Sequence, residues 1–178
     1  KTYTHKARKP LEKSPDLASI KFESDVITEK MLLAYISKQI EDNFSFKEND
    51  VIIYGIGGHA SMCIDILKVD DKFNLVGFID DNRNSSTTYP ELKCFGTSKD
   101  LIRLKEMGLK NVVLGIGLVN NLKKRQKLYQ SISKDFNVPS IIHNKAIIEK
   151  SANISKNGVQ IMAGAIVGTN VLIGDNCI

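Results

Sequence analysis

A glycine-rich segment, GIGGHA, occupies positions 55–60 and contains Gly55, Gly57, Gly58 and His59. Glycine permits a tight turn and lets backbone N–H groups approach a ligand closely, and a helix N-terminus behind such a turn favours anions. Gly55, Gly57 and Ala60 also fit the GxGxxA pattern of dinucleotide-binding turns. The segment therefore indicates a phosphate-binding loop, although any sharp strand-to-helix turn can use glycines. His59 is placed to face a ligand, and its alternative role is to cap or pack the helix.

An acidic pair, Asp80 and Asp81, stands 20 and 21 residues beyond Ala60, at the end of the next predicted strand. In a dinucleotide site, a carboxylate at this point takes a ribose hydroxyl. The pair is therefore a candidate for nucleotide binding, and the alternative is a solvated turn.

A second glycine segment, LGIG at 114–117, is followed by Asn121 and Arg125. Ligands in open α/β sheets bind at the carboxyl edge of the strands, so Gly117 is a candidate for contact with the same ligand. Asn121 either joins this site or caps the following helix. Within a Lys-rich helix face, Arg125 is the side chain best suited to a phosphate.

These motifs need a scaffold, which the alternation of apolar runs and helical patterns supplies. Strands are predicted at 51–54, 75–79, 112–116 and 138–142, and helices at 60–68, 97–107 and 122–136. Such alternation predicts an α/β fold with a parallel sheet. We divide the chain into a tail or linker at 1–24, an N-terminal helix at 25–48, a Rossmann-like domain at 49–142 and a different structure at 143–178.

That last segment has a period near six. Aliphatic residues recur there, and four positions after each of them stands a small or compact residue. The aliphatic residues are Ile148, Ile154, Ile161, Val167 and Ile173. This pattern favours the start of a β-helix over an antiparallel meander with glycine turns, because each hexapeptide would form one side of a coil.

Composition narrows the classes of function. The chain has 178 residues, a net charge of +5, three cysteines and three histidines, and no apolar run long enough for a membrane helix. The scattered Cys and His residues predict reduced thiols in the cytoplasm and no metal site. The small basic excess does not establish nucleic-acid binding.

The ordered set of segments resembles the PglD-like sugar O- and N-acetyltransferases, which also include enzymes of sialic acid pathways. The segments are IIYGIGGHASMCIDIL (52–67), VGFIDDN (76–82), VVLGIG (112–117), RQKLY (125–129) and PSIIHNKAIIEKSANI (139–154). The resemblance implies a small Rossmann-like domain followed by a left-handed parallel β-helix, assembled as a homotrimer. It also implies acetyl transfer from acetyl-CoA to an amine or hydroxyl of a nucleotide-linked sugar, with UDP-amino sugars as the usual substrates.

By the same resemblance, Gly57, Gly58 and His59 match the family's GGH loop, and Asp80 and Asp81 match its acidic pair near the nucleotide. The general-base histidine is expected beyond Ile178, so the chain as given is expected to be inactive alone. Some relatives are fused to a membrane sugar-phosphate transferase, and the N-terminal residues are a candidate linker to such a domain. The alternatives are an NAD-dependent oxidoreductase and a non-catalytic module that binds sugar nucleotides.

Overall fold

A four-stranded parallel sheet forms the first part of the protein in a computed structural model, which describes residues 44–82, 89–117 and 122–178. Its strands lie in the order β3-β2-β1-β4. They are β1 (Asp50–Tyr54), β2 (Asn74–Ile79), β3 (Lys93–Cys94) and β4 (Asn111–Leu114). Since β2 and β4 flank β1 on opposite sides, the chain reverses its direction of travel across the sheet at β1. Ligands bind at such a reversal in open α/β folds.

Helices cover both faces of the sheet. The side chains of β1 point alternately to the two faces and all of them are buried, so each face needs a covering layer. The helices are α1 (Gly58–Val69), α2 (Leu101–Glu106), which follows a 3₁₀ turn at Ser98–Asp100, and α3 (Leu122–Ile132). Val51 and Ile53 pack with buried residues of α1. Ile52 and Tyr54 point to the other face, where they pack with Leu104 of α2 and Ile132 of α3. All five residues of β1 are buried, so the sheet is a central layer.

The start of a parallel β-helix follows the sheet. Six two-residue strands form it: β5 (Ile141–Ile142), β6 (Ile147–Ile148), β7 (Asn153–Ile154), β8 (Gln160–Ile161), β9 (Ile166–Val167) and β10 (Leu172–Ile173). Each of the first three strands pairs in parallel with one of the last three. Parallel pairing excludes the antiparallel meander and confirms the prediction of a β-helix.

The aliphatic residues of the six-residue pattern point into the core of these two coils. Ile148, Ile154, Ile161, Val167 and Ile173 all belong to this core, together with Ile142. Positive φ angles recur at residues 158, 164, 170 and 176, which are two glycines and two asparagines. The period of six therefore reflects both the inward residue of each side and a left-handed corner that Gly and Asn tolerate.

The strand predicted at 138–142 differs in the structure. Ile141 and Ile142 pair with Gln160 and Ile161 in the β-helix and are not part of the main sheet. Only a single parallel bridge, between Asn111 and Asn137, extends β4 toward this segment. A short apolar run satisfies a buried sheet and a β-helix core equally well, so its partner cannot be read from the run itself.

The entry to the sheet is also not as predicted. The helix predicted at 25–48 lies outside the described residues up to residue 43, and residues 44–49 form loop and turn. Phe44 and Phe46 pack against Phe95 with tilted rings, at ring-centroid distances of 5.5 and 5.2 Å. This packing, and a hydrogen bond from Lys47 N to Asp50 Oδ2 at 2.9 Å, direct the chain into β1. The tail predicted at 1–24 and residues 83–88 lie outside the described residues.

Within the described ranges, no helix combines the length and the apolar character needed to cross a bilayer.

Candidate functional site

A cavity of about 710 Å³ opens at the carboxyl ends of β1 and β4, where the direction of the chain reverses. Seven of the nine predicted site residues line it. They are Gly55, Gly57, Gly58, His59, Asp80, Asp81 and Gly117. Asn121 lies outside the described residues, and Arg125 lies elsewhere.

The glycine loop forms the floor of the cavity at the N-terminus of α1. Gly55 has φ +86°, a backbone conformation that residues with a side chain rarely adopt. Gly57 caps α1 in an extended conformation without a side-chain hydrogen bond. A Cβ atom added at Gly57 or Gly58 would meet nothing within 4 Å. These two positions therefore leave the backbone of the first helical turn accessible to a ligand, and the helix dipole favours an anion there.

Asp80 ties the glycine loop to the end of β2. Its Oδ2 accepts a hydrogen bond from Ile56 N at 2.8 Å, and its Oδ1 accepts one from Asn82 N at 2.6 Å. The carboxylate therefore shapes the loop and lines the cavity at the same time. Each carboxylate oxygen has a second lone pair, which leaves acceptor capacity for a ligand hydroxyl.

Asp81 holds the neighbouring wall. It accepts hydrogen bonds from the hydroxyl of Tyr54 at 2.7 Å and from Ser98 N at 2.8 Å. Burial alone would raise the pKa of Asp81, but the hydrogen bonds from Ser98 and Tyr54 outweigh it, and the pKa is lowered. Burial, followed by the hydrogen bond to Asp81, raises the pKa of Tyr54 to about 12. At neutral pH the pair is therefore a phenol that donates to a carboxylate.

Two close backbone approaches fix the second glycine segment. A Cβ atom at Gly115 would lie 2.1 Å from the carbonyl oxygen of Gly55, and one at Gly117 would lie 3.2 Å from the Cγ atom of His59. The two loops can meet only because these residues lack side chains. The glycines that the sequence suggests for ligand contact therefore divide into open ones, at 57 and 58, and packing ones, at 115 and 117.

The basic residues of α3 take the reverse of their predicted roles. Arg125 is fully buried, and its guanidinium donates to the carbonyl oxygens of Leu114 at 3.3 Å and of Ile116. Its third contact, to Gly158 O at 3.5 Å, reaches the β-helix. Arg125 therefore joins the sheet, α3 and the first coil, and it does not line the cavity. Lys124 and Lys127, two lysines of the Lys-rich face, line the cavity instead.

A direct hydrogen bond connects the glycine loop to the β-helix. His59 Nε2 lies 2.6 Å from Gln160 Oε1, and Gln160 Nε2 donates to Leu114 O at 2.9 Å. Gln160 is buried on β8, with 3% of its surface exposed. Sequence reasoning missed this residue because it looks like an ordinary polar position of a hexapeptide.

Among the described residues, no group of three or more His, Cys, Asp or Glu side chains could hold a metal ion. Cys63 is buried beside Leu114, while Cys94 and Cys177 are exposed, and all three are free thiols.

Residues 50–132 match the family model of the PglD N-terminal domain. This stretch is therefore similar to a PglD N-terminal domain. The match covers the sheet, the glycine loop and α3, and it therefore includes every residue that lines the cavity.

Solved structures extend the likeness through the β-helix. The chain is 27% identical to a perosamine N-acetyltransferase from Caulobacter crescentus, a histidine mutant solved in complex with CoA and GDP-perosamine, with a TM-score of 0.64. The match covers 74% of this chain and 60% of that one. PerB from the same organism, also solved with CoA and GDP-perosamine, is 27% identical with a TM-score of 0.63, over 74% of this chain and 59% of that one.

A third structure shows the same fold at lower identity. It is the acetyltransferase domain of PglB from Neisseria gonorrhoeae FA1090 in complex with acetyl coenzyme A, at 24% identity and a TM-score of 0.61. Its match covers 73% of this chain and 60% of that one. The chain thus spans about 60% of the length of these solved relatives. A search of curated proteins by sequence finds no match.

The PglD N-terminal domain and the Caulobacter structures confirm the predicted resemblance to PglD-like sugar acetyltransferases. The predicted co-substrate agrees with relatives that were solved with CoA or acetyl-CoA bound.

Proposed function

We propose that this chain provides the nucleotide-sugar site and the first coils of an acetyltransferase. The enzyme moves acetyl from acetyl-CoA to an amine or hydroxyl of a nucleotide-linked sugar. The observation that supports this most directly is the hydrogen bond between His59 and Gln160, because it connects a phosphate-type loop to a β-helix within one site. Residues from 49 to about 140 bind the sugar nucleotide, and residues from 141 begin the β-helix.

The nucleotide diphosphate binds at the N-terminus of α1. Gly57 and Gly58 leave that backbone accessible, and Lys124 and Lys127 face the same cavity from α3. Two lysines and a helix N-terminus complement a diphosphate, which carries its negative charge on several oxygens. Asp80 and Asp81 line the adjacent wall and are the candidates for ribose or base contacts.

The acetyl-transfer step belongs to the β-helix. By family resemblance, acetyl-CoA lies along the β-helix between neighbouring subunits. By the same resemblance, a histidine of the β-helix takes the proton from the attacking amine or hydroxyl. That group then attacks the thioester carbon, and CoA leaves as the thiol. Among the residues described, the site contributes substrate binding and orientation to this reaction.

Assembly as a homotrimer is part of the proposal. Ile147 and Ile166, which pair on one side of the coils, are 57% and 72% exposed, and Leu172 is 79% exposed. Ile147 and Ile166 are neighbours on the side formed by β6 and β9, and adjacent exposed apolar side chains of this size mark a contact surface. Sedimentation velocity tests this: the wild type is expected to be larger than a monomer, and Ile166→Lys is expected to shift it toward a monomer. A wild type that sediments as a monomer contradicts the trimer.

Calorimetric titration and thermal shift with UDP-, GDP- and CMP-amino sugars and NAD test the substrate class. We expect stabilisation by at least one sugar nucleotide and none by NAD, because only a binding ligand raises the melting temperature. The Caulobacter relatives were solved with GDP-perosamine, so UDP and GDP sugars are tested side by side. Stabilisation by NAD alone would favour the oxidoreductase instead.

The variant Gly58→Leu tests whether the sugar nucleotide binds in this cavity. A Cβ atom at position 58 would meet nothing within 4 Å and the residue lines the cavity, so this variant is expected to fold normally while its leucine obstructs the cavity. Sugar-nucleotide binding that survives in Gly58→Leu would place the ligand elsewhere. Binding of a sugar nucleotide without acetyl transfer, in a protein with a complete β-helix, would favour the non-catalytic module.

A further inference from the structure

Gln160 is held at both ends of its side-chain amide. Its Nε2 donates to the backbone carbonyl of Leu114 at 2.9 Å, and its Oε1 lies 2.6 Å from His59 Nε2. The residue is 3% exposed, so neither end exchanges these partners for water easily. The amide orientation follows from this network, because a backbone carbonyl can only accept a hydrogen bond.

The orientation of Gln160 determines the tautomer of His59. The Oε1 atom of an amide is an acceptor, so the nitrogen that faces it at 2.6 Å must donate a proton. His59 Nε2 therefore carries a hydrogen. In the neutral imidazole the other nitrogen, Nδ1, then has a lone pair and acts as an acceptor.

The Nδ1 atom of His59 faces the side of the ring where the second glycine segment passes. A Cβ atom at Gly117 would lie 3.4 Å from it, and both residues line the cavity. Within residues 44–82, 89–117 and 122–178, no hydrogen bond to this nitrogen is present. A side chain at position 117 would crowd this nitrogen, and its absence leaves the acceptor at the edge of the cavity that both residues line.

We propose that Gln160 is a positioning residue, which presents His59 Nδ1 as a hydrogen-bond acceptor to the sugar of the bound nucleotide sugar. This proposal rests on the proposed function. An unprotonated diphosphate offers only acceptors, so it has nothing to donate to Nδ1. The hydroxyl and ammonium groups of the sugar do donate. The ribose and the base also carry donors, but the proposed function assigns them to the wall formed by Asp80 and Asp81, so the donor for His59 Nδ1 is assigned to the sugar. The first coil thereby takes part in substrate selection through a residue that need not touch the substrate.

The tautomer is measured in the ligand-free protein by ¹⁵N NMR of the imidazole nitrogens. The chain has only three histidines, and the spectrum of His59→Gln identifies the signals of His59 by their loss. We expect a protonated Nε2 and an unprotonated Nδ1 in the wild type, and a mixture of tautomers in Gln160→Met. A wild type with its proton on Nδ1, or a tautomer unchanged in a folded Gln160→Met, overturns the proposal.

Ligand binding is measured with a nucleoside diphosphate and with the corresponding amino sugar nucleotide. Gln160→Met and His59→Gln are expected to bind the sugar nucleotide about 3- to 10-fold more weakly, with the affinity for the diphosphate unchanged. In His59→Gln the new side chain keeps a donor near the former Nε2 position and removes the Nδ1 acceptor. Equal losses for both ligands would overturn the proposal, because they indicate a general disturbance of the loop.

His59→Asn provides the complementary control, since asparagine places a polar atom near the former Nδ1 position but does not reach Gln160. It is expected to retain more sugar affinity than His59→Gln, and the reverse order contradicts the proposal. If the wild type binds no sugar nucleotide, the proposed function fails together with the sugar contact. The NMR result decides the role of Gln160 separately.

Discussion

The carbonyl oxygen of Gly55 lies where a side chain at residue 115 would begin, so that a Cβ atom at Gly115 would be only 2.1 Å away from it. The neighbouring Ile53 Cγ2 and Ala60 Cβ atoms would lie at 2.6 and 2.9 Å. Because the nearest obstacle is backbone, it cannot rotate away as a flexible side chain would. The two loops that enclose the cavity therefore depend on this glycine.

Gly115→Ala is accordingly expected to destabilise the protein by about 3 kcal/mol or more. At this chain length that corresponds to a melting temperature lower by about 6–12 °C, measurable by calorimetry. Gly57→Ala is the matched control, because its Cβ meets nothing within 4 Å. If the two variants melt at the same temperature, the close approach of the loops is not as described.

Substitutions of Arg125 and Lys127 are expected to have different effects on stability. Arg125→Met removes the donors to three backbone carbonyls, two of them beside the cavity, and is expected to cost about 2–4 kcal/mol in unfolding free energy. Lys127→Met changes a side chain that lines the cavity and is expected to alter stability by no more than about 0.5 kcal/mol. Denaturant titration measures both.

The same pair distinguishes a structural cation from a ligand-binding one. Lys127→Met is expected to weaken diphosphate binding and reduce its dependence on salt, because the lost contact is electrostatic. An Arg125→Met protein that is as stable as the wild type but no longer binds a diphosphate would restore the role that the sequence suggests for Arg125.

The Tyr54–Asp81 pair predicts a loss of stability at alkaline pH. The folded-state pKa of Tyr54 is about 12, above the ordinary value of about 10. The stability that this shift supplies is therefore complete below pH 10 and is lost as the pH rises through 12. Urea unfolding at pH 9 and 11.5 is expected to show a smaller loss for Tyr54→Phe than for the wild type.

Other groups do not obscure this comparison. Burial also raises the pKa of Cys63 to about 12, but this thiol is present in both proteins, so the difference between them isolates Tyr54. Identical losses in the two proteins would show that the phenol is not held as described.

Thiol labelling is expected to separate the three cysteines. Cys94 and Cys177 are exposed, whereas Cys63 is buried in α1 and its raised pKa keeps it protonated. Because the thiolate is the reactive form, we expect two thiols to react in the native protein at pH 8 and the third only on unfolding. Cys63→Ala is the control, with two reactive thiols in both states. Rapid native labelling of all three contradicts the burial of α1 against the sheet.

Much of this fold is predictable from patterns that extend over only a few neighbouring residues of the sequence. The glycine loop, the strands β1, β2 and β4, and the period near six are each visible within a few residues of sequence. Strand β3 is not, because it consists of two exposed residues, Lys93 and Cys94, that pair with β2 through backbone alone. No side-chain pattern marks such a strand.

The contacts that define the site depend on distant partners. Arg125 lies among lysines in the sequence, but its guanidinium contacts the carbonyl oxygens of Leu114 and of Gly158, which is 33 positions away in the β-helix. Gln160 meets His59 across 101 positions of the chain. Local composition assigns both residues to the surface, and the folded packing of coil against sheet places them inside.

The spacing of the coils has a consequence for the order in which the chain folds. The paired coil residues Ile141 and Gln160 close a loop of 19 positions, whereas Val51 and Asn111, which join β1 to β4, close one of 60. The entropic cost of closing a loop rises with the logarithm of its length. A contact within the coils therefore costs less entropy than the contact between β1 and β4. The slow step in folding is therefore expected to be the meeting of β1 and β4, which creates the platform on which His59 and Gln160 then join.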